Sequence, residues 1–184
     1  MPNSFLSKLL NFFWFQGIWW LVVLYQSTFI TLCVVMCLLG AWIVFSPIRK
    51  SDFKIMVSVL LLGTLVDSLL MITGVFGFET GAWLRGSATH LVIPIWLMFL
   101  WAALGGSIQH SLSAFANRPW LAAIGGAIFA PVSYFGGEAF GAVTFGYSST
   151  ITFIILAIVW AFVFPLCFVV AGLIADSDNN EQPN

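Results

Sequence analysis

Residues Lys54–Phe78 read KIMVSVLLLGTLVDSLLMITGVFGF. This nearly unbroken apolar run exceeds the ~20 residues that cross a hydrocarbon core. One ionisable residue, Asp67, lies past its middle. A carboxyl at bilayer depth is costly, so it faces protein or a water-filled cavity rather than lipid. The neighbouring spans are therefore read as packing around Asp67. On a helix, Gly63, Thr64, Ser68, Met71 and Gly74 share or flank its face. Small side chains there admit a close neighbour, whereas Leu62, Leu65, Leu69 and Ile72 form a bulky face suited to lipid.

Composition supports the same class. Of 184 residues, 61% are hydrophobic and 7% charged, with mean hydropathy +1.04. A soluble domain carries about 25% charged residues. Net charge is −1, which leaves no basic footprint for nucleic acid. Nine Trp and 19 Phe suit a lipid-facing protein with interfacial rings. Cys33, Cys37 and Cys167 form no C-x-x-C pair and no ligand cluster with His90 or His110, so they read as packing residues. No metal site and no cofactor is expected.

Working outward, the chain divides into six predicted transmembrane helices, over 5–26, 28–46, 54–76, 90–112, 119–137 and 150–175. The first could pass for a signal peptide, but no A-x-A site follows, and it is read as a retained span. IRKSDFK after Pro47 is read as a charged loop, 136–149 as an outer loop or re-entrant segment, and 176–184 as a disordered polar tail. With the amino terminus inside, Lys8, Arg49, Lys50, Lys54 and Arg118 are cytoplasmic and only Arg85 is outside, which predicts an N-in/C-in all-α bundle. No internal repeat is evident. Ala102 with Gly106, and Ala122, Gly126 and Ala130, recur every fourth position and predict close packing of spans 4 and 5.

Three polar groups are candidate sites. Gln16 and Asp67 have similar estimated depths and are expected to meet. Asp67 is then either a site for a proton, cation or headgroup, or a neutral carboxyl acting as polar glue to Gln16, Thr64 or another helix. Near the cytoplasmic end of span 4 lie Ser107, Gln109, His110, Ser111 and Ser113, with Asn11 of span 1 at similar depth. His110 and Ser111 point about 100° apart on a helix and cannot pair as base and nucleophile. His110 is read first as a satisfied interfacial histidine and second as a contact to headgroup or substrate. Outside lie Glu79, Arg85, His90, Glu138 and Tyr134, with Glu138 read as a boundary residue.

The ordered set Asn11-Phe12, Phe15-Gln16, Asp67, Gly74-Val75-Phe76, Pro94, Trp96-Leu97, Leu100-Trp101, His110-Ser111-Leu112, Pro131, Ser133-Tyr134 and Gly141-Ala142 resembles a bacterial inner-membrane family of unknown function, found mainly in gamma-proteobacteria. In that family glycine is commoner at Ala130, asparagine at Gln109 and an uncharged residue at Glu138. Its members are similar to proteins encoded beside fatty-acid cyclopropane synthases and other lipid-modifying enzymes. The resemblance implies a part in membrane-lipid modification or envelope stress. The reading is then a non-enzymatic accessory protein of the inner membrane, with membrane lipids and a lipid-modifying membrane enzyme as its partners. The alternatives are a small proton- or cation-coupled transporter using Asp67 and a membrane-embedded lipid enzyme using His110.

Overall fold

The computed structural model describes residues 5–25, 28–78 and 91–180. It contains α1 (Phe5–Leu24), α2 (Phe29–Phe45), α3 (Arg49–Ile72), β1 (Phe76–Gly77), α4 (Ile95–Ile108), α5 (Pro119–Ala139), β2 (Thr144–Phe145) and α6 (Ser149–Asn180). A short 3-10 turn at Ser113–Phe115 precedes α5. The predicted positions of Glu79, Arg85 and His90 lie outside the described residues.

Four helices, α1, α3, α5 and α6, are long and apolar enough to cross a membrane. The other two are shorter apolar helices. The 14 residues of α4 rise only ~21 Å, less than a ~30 Å hydrocarbon core. Burial explains how a short helix is tolerated: α4 lies against α1, α2, α3 and α6. Its Gly105 leaves no room for a Cβ beside the Met56 backbone of α3, and its Gly106 faces Trp14 of α1. The non-helical approach to α4 is also covered. Ile93 is buried and its N–H donates to Ser68 Oγ at 3.2 Å. Irregular backbone at membrane depth needs such a partner within the protein.

The segment IRKSDFK is helix, not loop, because α3 begins at Arg49. Ser46 stands before Pro47 and organises this start. Its Oγ accepts from Ile48 N at 3.1 Å and donates to Asp52 Oδ2 at 2.5 Å. Asp52 in the first turn also complements the positive end of the helix dipole. At the other chain end α6 continues through Asn180, so most of the predicted tail is helical. Lys54 reaches Asp178 there at 2.5 Å. Pro119 opens α5 at a position where its missing N–H costs nothing.

The small-residue ridges pack differently from expectation. Gly105 and Gly106 of α4 receive α3 and α1, and Gly126 of α5 receives Trp160 and Phe164 of α6. The chain thus pairs α3 with α4 and α5 with α6 as antiparallel hairpins, since Gly63 meets Trp101 while Gly105 meets Met56, and Tyr134 meets Trp160 while Gly126 meets Phe164. Each hairpin brings its own small residues to its own partner. The far ends of α3 and α5 are joined by antiparallel pairing of β1 with β2, Phe76 opposite Phe145 and Gly77 opposite Thr144.

The lipid-suited face of α3 is on the outside: Leu61, Leu65, Leu69 and Ile72 are all more than half exposed. Leu62 instead packs against the core.

Candidate functional site

Asp67 is fully buried and faces the bundle interior. Trp101 Nε1 of α4 donates to its Oδ2 at 2.7 Å, and the Tyr134 hydroxyl of α5 donates to its Oδ1 at 2.5 Å. One carboxyl therefore joins three helices. Trp101 stacks on Trp160 of α6 with centroids 4.7 Å apart and planes at 11°. Tyr134 lies between Phe76 at 5.2 Å and Trp160 at 6.2 Å. Gly63, one helical turn before Asp67, makes room for the Trp101 ring; a Cβ there would overlap the indole. The sequence pattern thus supplies both the carboxyl and the space for the ring that binds it.

Two expectations about this centre are corrected. Gln16 does not hydrogen-bond to Asp67. The buried face of α1 carries Asn11, Ile18 and Val22, and Gln16 projects about 140° away from Asn11 at 100° per residue. Its depth also differs. Because α3 starts at Arg49, Asp67 lies ~27 Å along that helix and only ~8 Å from its far end. Tyr134 belongs to this interior centre rather than to an outer cluster. Glu138 is exposed in the last turn of α5, and its backbone carbonyl accepts from Gly141 N at 2.9 Å.

The second centre lies where α3 begins and α4 ends. His110 Nε2 is 2.9 Å from Asp52 Oδ2 and 3.1 Å from Oδ1, with both side chains buried. Trp42 of α2 meets the imidazole edge to face at 4.9 Å, and Trp14 of α1 stacks on Trp42. Asn11 serves the next residue. Its Oδ1 accepts from Ser111 N at 3.1 Å and Ser111 Oγ at 2.6 Å, while its Nδ2 donates to Gly106 O at 3.1 Å. Asn11, His110 and Ser111 therefore meet in one layer. Ser107 Oγ turns back to Ala103 O, and Gln109 is the half-buried C-cap of α4 with no side-chain hydrogen bond among the described residues.

Sequence reasoning missed Asp52, Ser46, Trp101 and Trp42. In sequence Asp52 sits in a charged stretch that reads as a loop, 58 residues from its histidine. The available signal was Ser46-Pro47 at a helix start with an acid in the first turn. The Trp residues carry no polar pattern that separates them from lipid-facing rings.

Chemically, the second centre contains an imidazole and a carboxylate, the orienting half of a nucleophilic triad. The hydroxyls are turned elsewhere: Ser46 Oγ donates to Asp52 and Ser111 Oγ to Asn11. No hydroxyl among the described residues hydrogen-bonds to the imidazole. Among those residues no three His, Cys, Asp or Glu side chains gather at one metal position.

A helical bundle with four helices long and apolar enough to cross a membrane fits a multi-pass membrane protein. The chain belongs to a family described as proteins of unknown function (DUF2878), whose sequence model matches residues 8–166. No curated protein and no solved structure matches it.

Proposed function

We propose that this protein is a multi-pass component of a bacterial inner membrane that acts by binding rather than by catalysis. Its partners are membrane lipid and, through lipid, a lipid-modifying membrane enzyme. It crosses six times with both ends in the cytoplasm, in keeping with five basic residues on one side against Arg85 on the other. One observation carries the binding reading: Asp67, Tyr134, Asn11, His110 and Ser111, five of the seven candidate site residues, are used as joints between helices. Asp67 is held by Trp101 and Tyr134, and Asp52 by His110 and Ser46. Asn11 is held by Ser111 and Gly106. What remains for function is the outer surface, where large apolar side chains such as Phe129, Phe162 and Leu173 are more than 60% exposed.

A membrane-embedded enzyme using His110 loses support, because the imidazole is turned to Asp52 and no hydroxyl among the described residues hydrogen-bonds to it. A small proton- or cation-coupled transporter using Asp67 is the second reading, favoured by the burial of that α3 carboxyl against α4 and α5. Native mass spectrometry of the protein released from its own membrane tests the binding reading. Retention of a selected phospholipid class, or of a lipid-modifying enzyme, is the expected result. A spectrum with only exchangeable bulk lipid would remove it.

A further inference from the structure

The ends of α3 and α5 are built alike, at a constant separation of 67 residues. Gly74 and Gly141 both adopt the left-handed region, with φ of 75° and 72°. Around Gly74, Thr73 N donates to Leu69 O, Gly74 N to Met71 O and Val75 N to Leu70 O. Around Gly141, Phe140 N donates to Gly136 O, Gly141 N to Glu138 O and Ala142 N to Gly137 O. Adding 67 to every residue of the first set gives the second. This is the Schellman termination, in which the C′ residue adopts the left-handed conformation.

The same separation recurs in two contacts that have no part in those helix ends. Gly77 pairs with Thr144 in the antiparallel bridge, and Asp67 hydrogen-bonds to Tyr134. Residues that match under the repeat therefore touch each other, as they do only on or beside a two-fold axis. The axis runs along the helices, because α3 and α5 both run toward the β1–β2 bridge. Each hairpin also brings a tryptophan from its second helix, Trp101 and Trp160, and the two stack against each other. Sequence comparison does not display this relation. Over the matched stretch 67–78 with 134–145, only Gly74 with Gly141 and Phe78 with Phe145 are identical.

The axis carries a group suited to a proton. Asp67 is fully buried, and the residues that hold it are neutral. The Lys54–Asp178 ion pair and the His110–Asp52 contact lie at the other end of the bundle. The surroundings are Trp101 from α4, Tyr134 from α5, Trp160 from α6 and Phe76 from β1, of which Tyr134 alone is titratable. An indole N–H only donates, so Oδ2 accepts from Trp101 in either charge state. A phenol hydroxyl both donates and accepts. Oδ1 can thus accept from Tyr134 when ionised, or give its own proton to the Tyr134 oxygen when neutral, with the heavy atoms unmoved. Trp160 Nε1 supports the symmetric description. It is buried without a hydrogen-bond partner among the described residues, and its ring meets that of Tyr134 with centroids 6.2 Å apart.

We propose that Asp67 is a reversible proton-binding site on a local two-fold axis that relates the last turns of α3 and β1 to the last turns of α5 and β2. The proposal is independent of the lipid-binding reading and holds whether the protein binds or transports. Infrared difference spectra of the full-length protein in bilayers, recorded as pH is stepped, provide the test. The wild type should show a protonated-carboxyl C=O band that appears and disappears reversibly, and Asp67→Asn should lack it. The double exchange Asp67→Tyr with Tyr134→Asp should regain the band. A wild type without a titrating band, or a band that persists in Asp67→Asn, overturns the proton site. A double exchange that folds but lacks the band overturns the two-fold equivalence. If the exchange does not fold, the comparison of wild type with Asp67→Asn still decides the proton site.

Discussion

Truncating His110 to alanine lowers the unfolding free energy by about 3 kcal/mol, the upper end for leaving a buried polar group short of its partner. The loss comes from Asp52, which keeps only the Ser46 hydroxyl once the imidazole is gone. It is also a loss of packing, since Trp42 rests its ring against His110 and Trp14 rests on Trp42. Removing the neighbouring hydroxyl in Ser111→Ala costs about 1 kcal/mol, because Asn11 Oδ1 still accepts from Ser111 N. Steric-trap unfolding of both variants in bilayers measures the difference. Equal effects would mean that the His110–Asp52 pair does not fasten α4 to α3.

The second large effect lies at Gly63. Alanine there places a methyl group inside the volume of the Trp101 indole. That ring cannot retreat freely, because Asp67 holds its N–H and Trp160 covers its face. Gly63→Ala is expected to destabilise by about 3 kcal/mol, at the upper end for overpacking. Gly17→Ala supplies the contrast. Gly17 lies within α1 with no atom in reach of an added Cβ, so alanine there raises stability by about 0.5 kcal/mol through helix propensity alone. Opposite signs for two glycine-to-alanine changes in membrane helices, read by the same unfolding measurement, separate packing from propensity.

The class of the molecule and the inward face of Asp67 were legible in sequence, because both follow from apolar run length and helical periodicity. Leu65, Leu69 and Ile72 face outward and Gly63 and Ser68 inward, as the pattern around Asp67 requires. The shared depth of Asn11 and Ser111 was also readable, since counting along two apolar spans from one side places both near the same end. Partners were not legible where identity depends on which helices adjoin. Asp67 selects an indole and a phenol rather than Gln16, and nothing in local spacing distinguishes Trp101 from the other eight tryptophans. Asp52 escaped because a charged stretch after Pro47 resembles a loop, while Ser46 and the helix dipole make it a first turn. The two-fold relation escaped because it resides in backbone conformation and in contacts. Glycines at 74 and 141 are its only trace in the last turns, and two shared glycines in a glycine-rich chain carry no weight alone.

Central to this account is that Asp67 and Tyr134 bind each other and so fasten one helical hairpin to the other. A double-mutant cycle of Asp67→Asn and Tyr134→Phe, measured by unfolding in bilayers, tests this directly. The predicted coupling is about 1 kcal/mol, within the span found for hydrogen bonds between membrane helices. Strictly additive single effects would contradict it and leave Asp67 without the partner on which the joint depends.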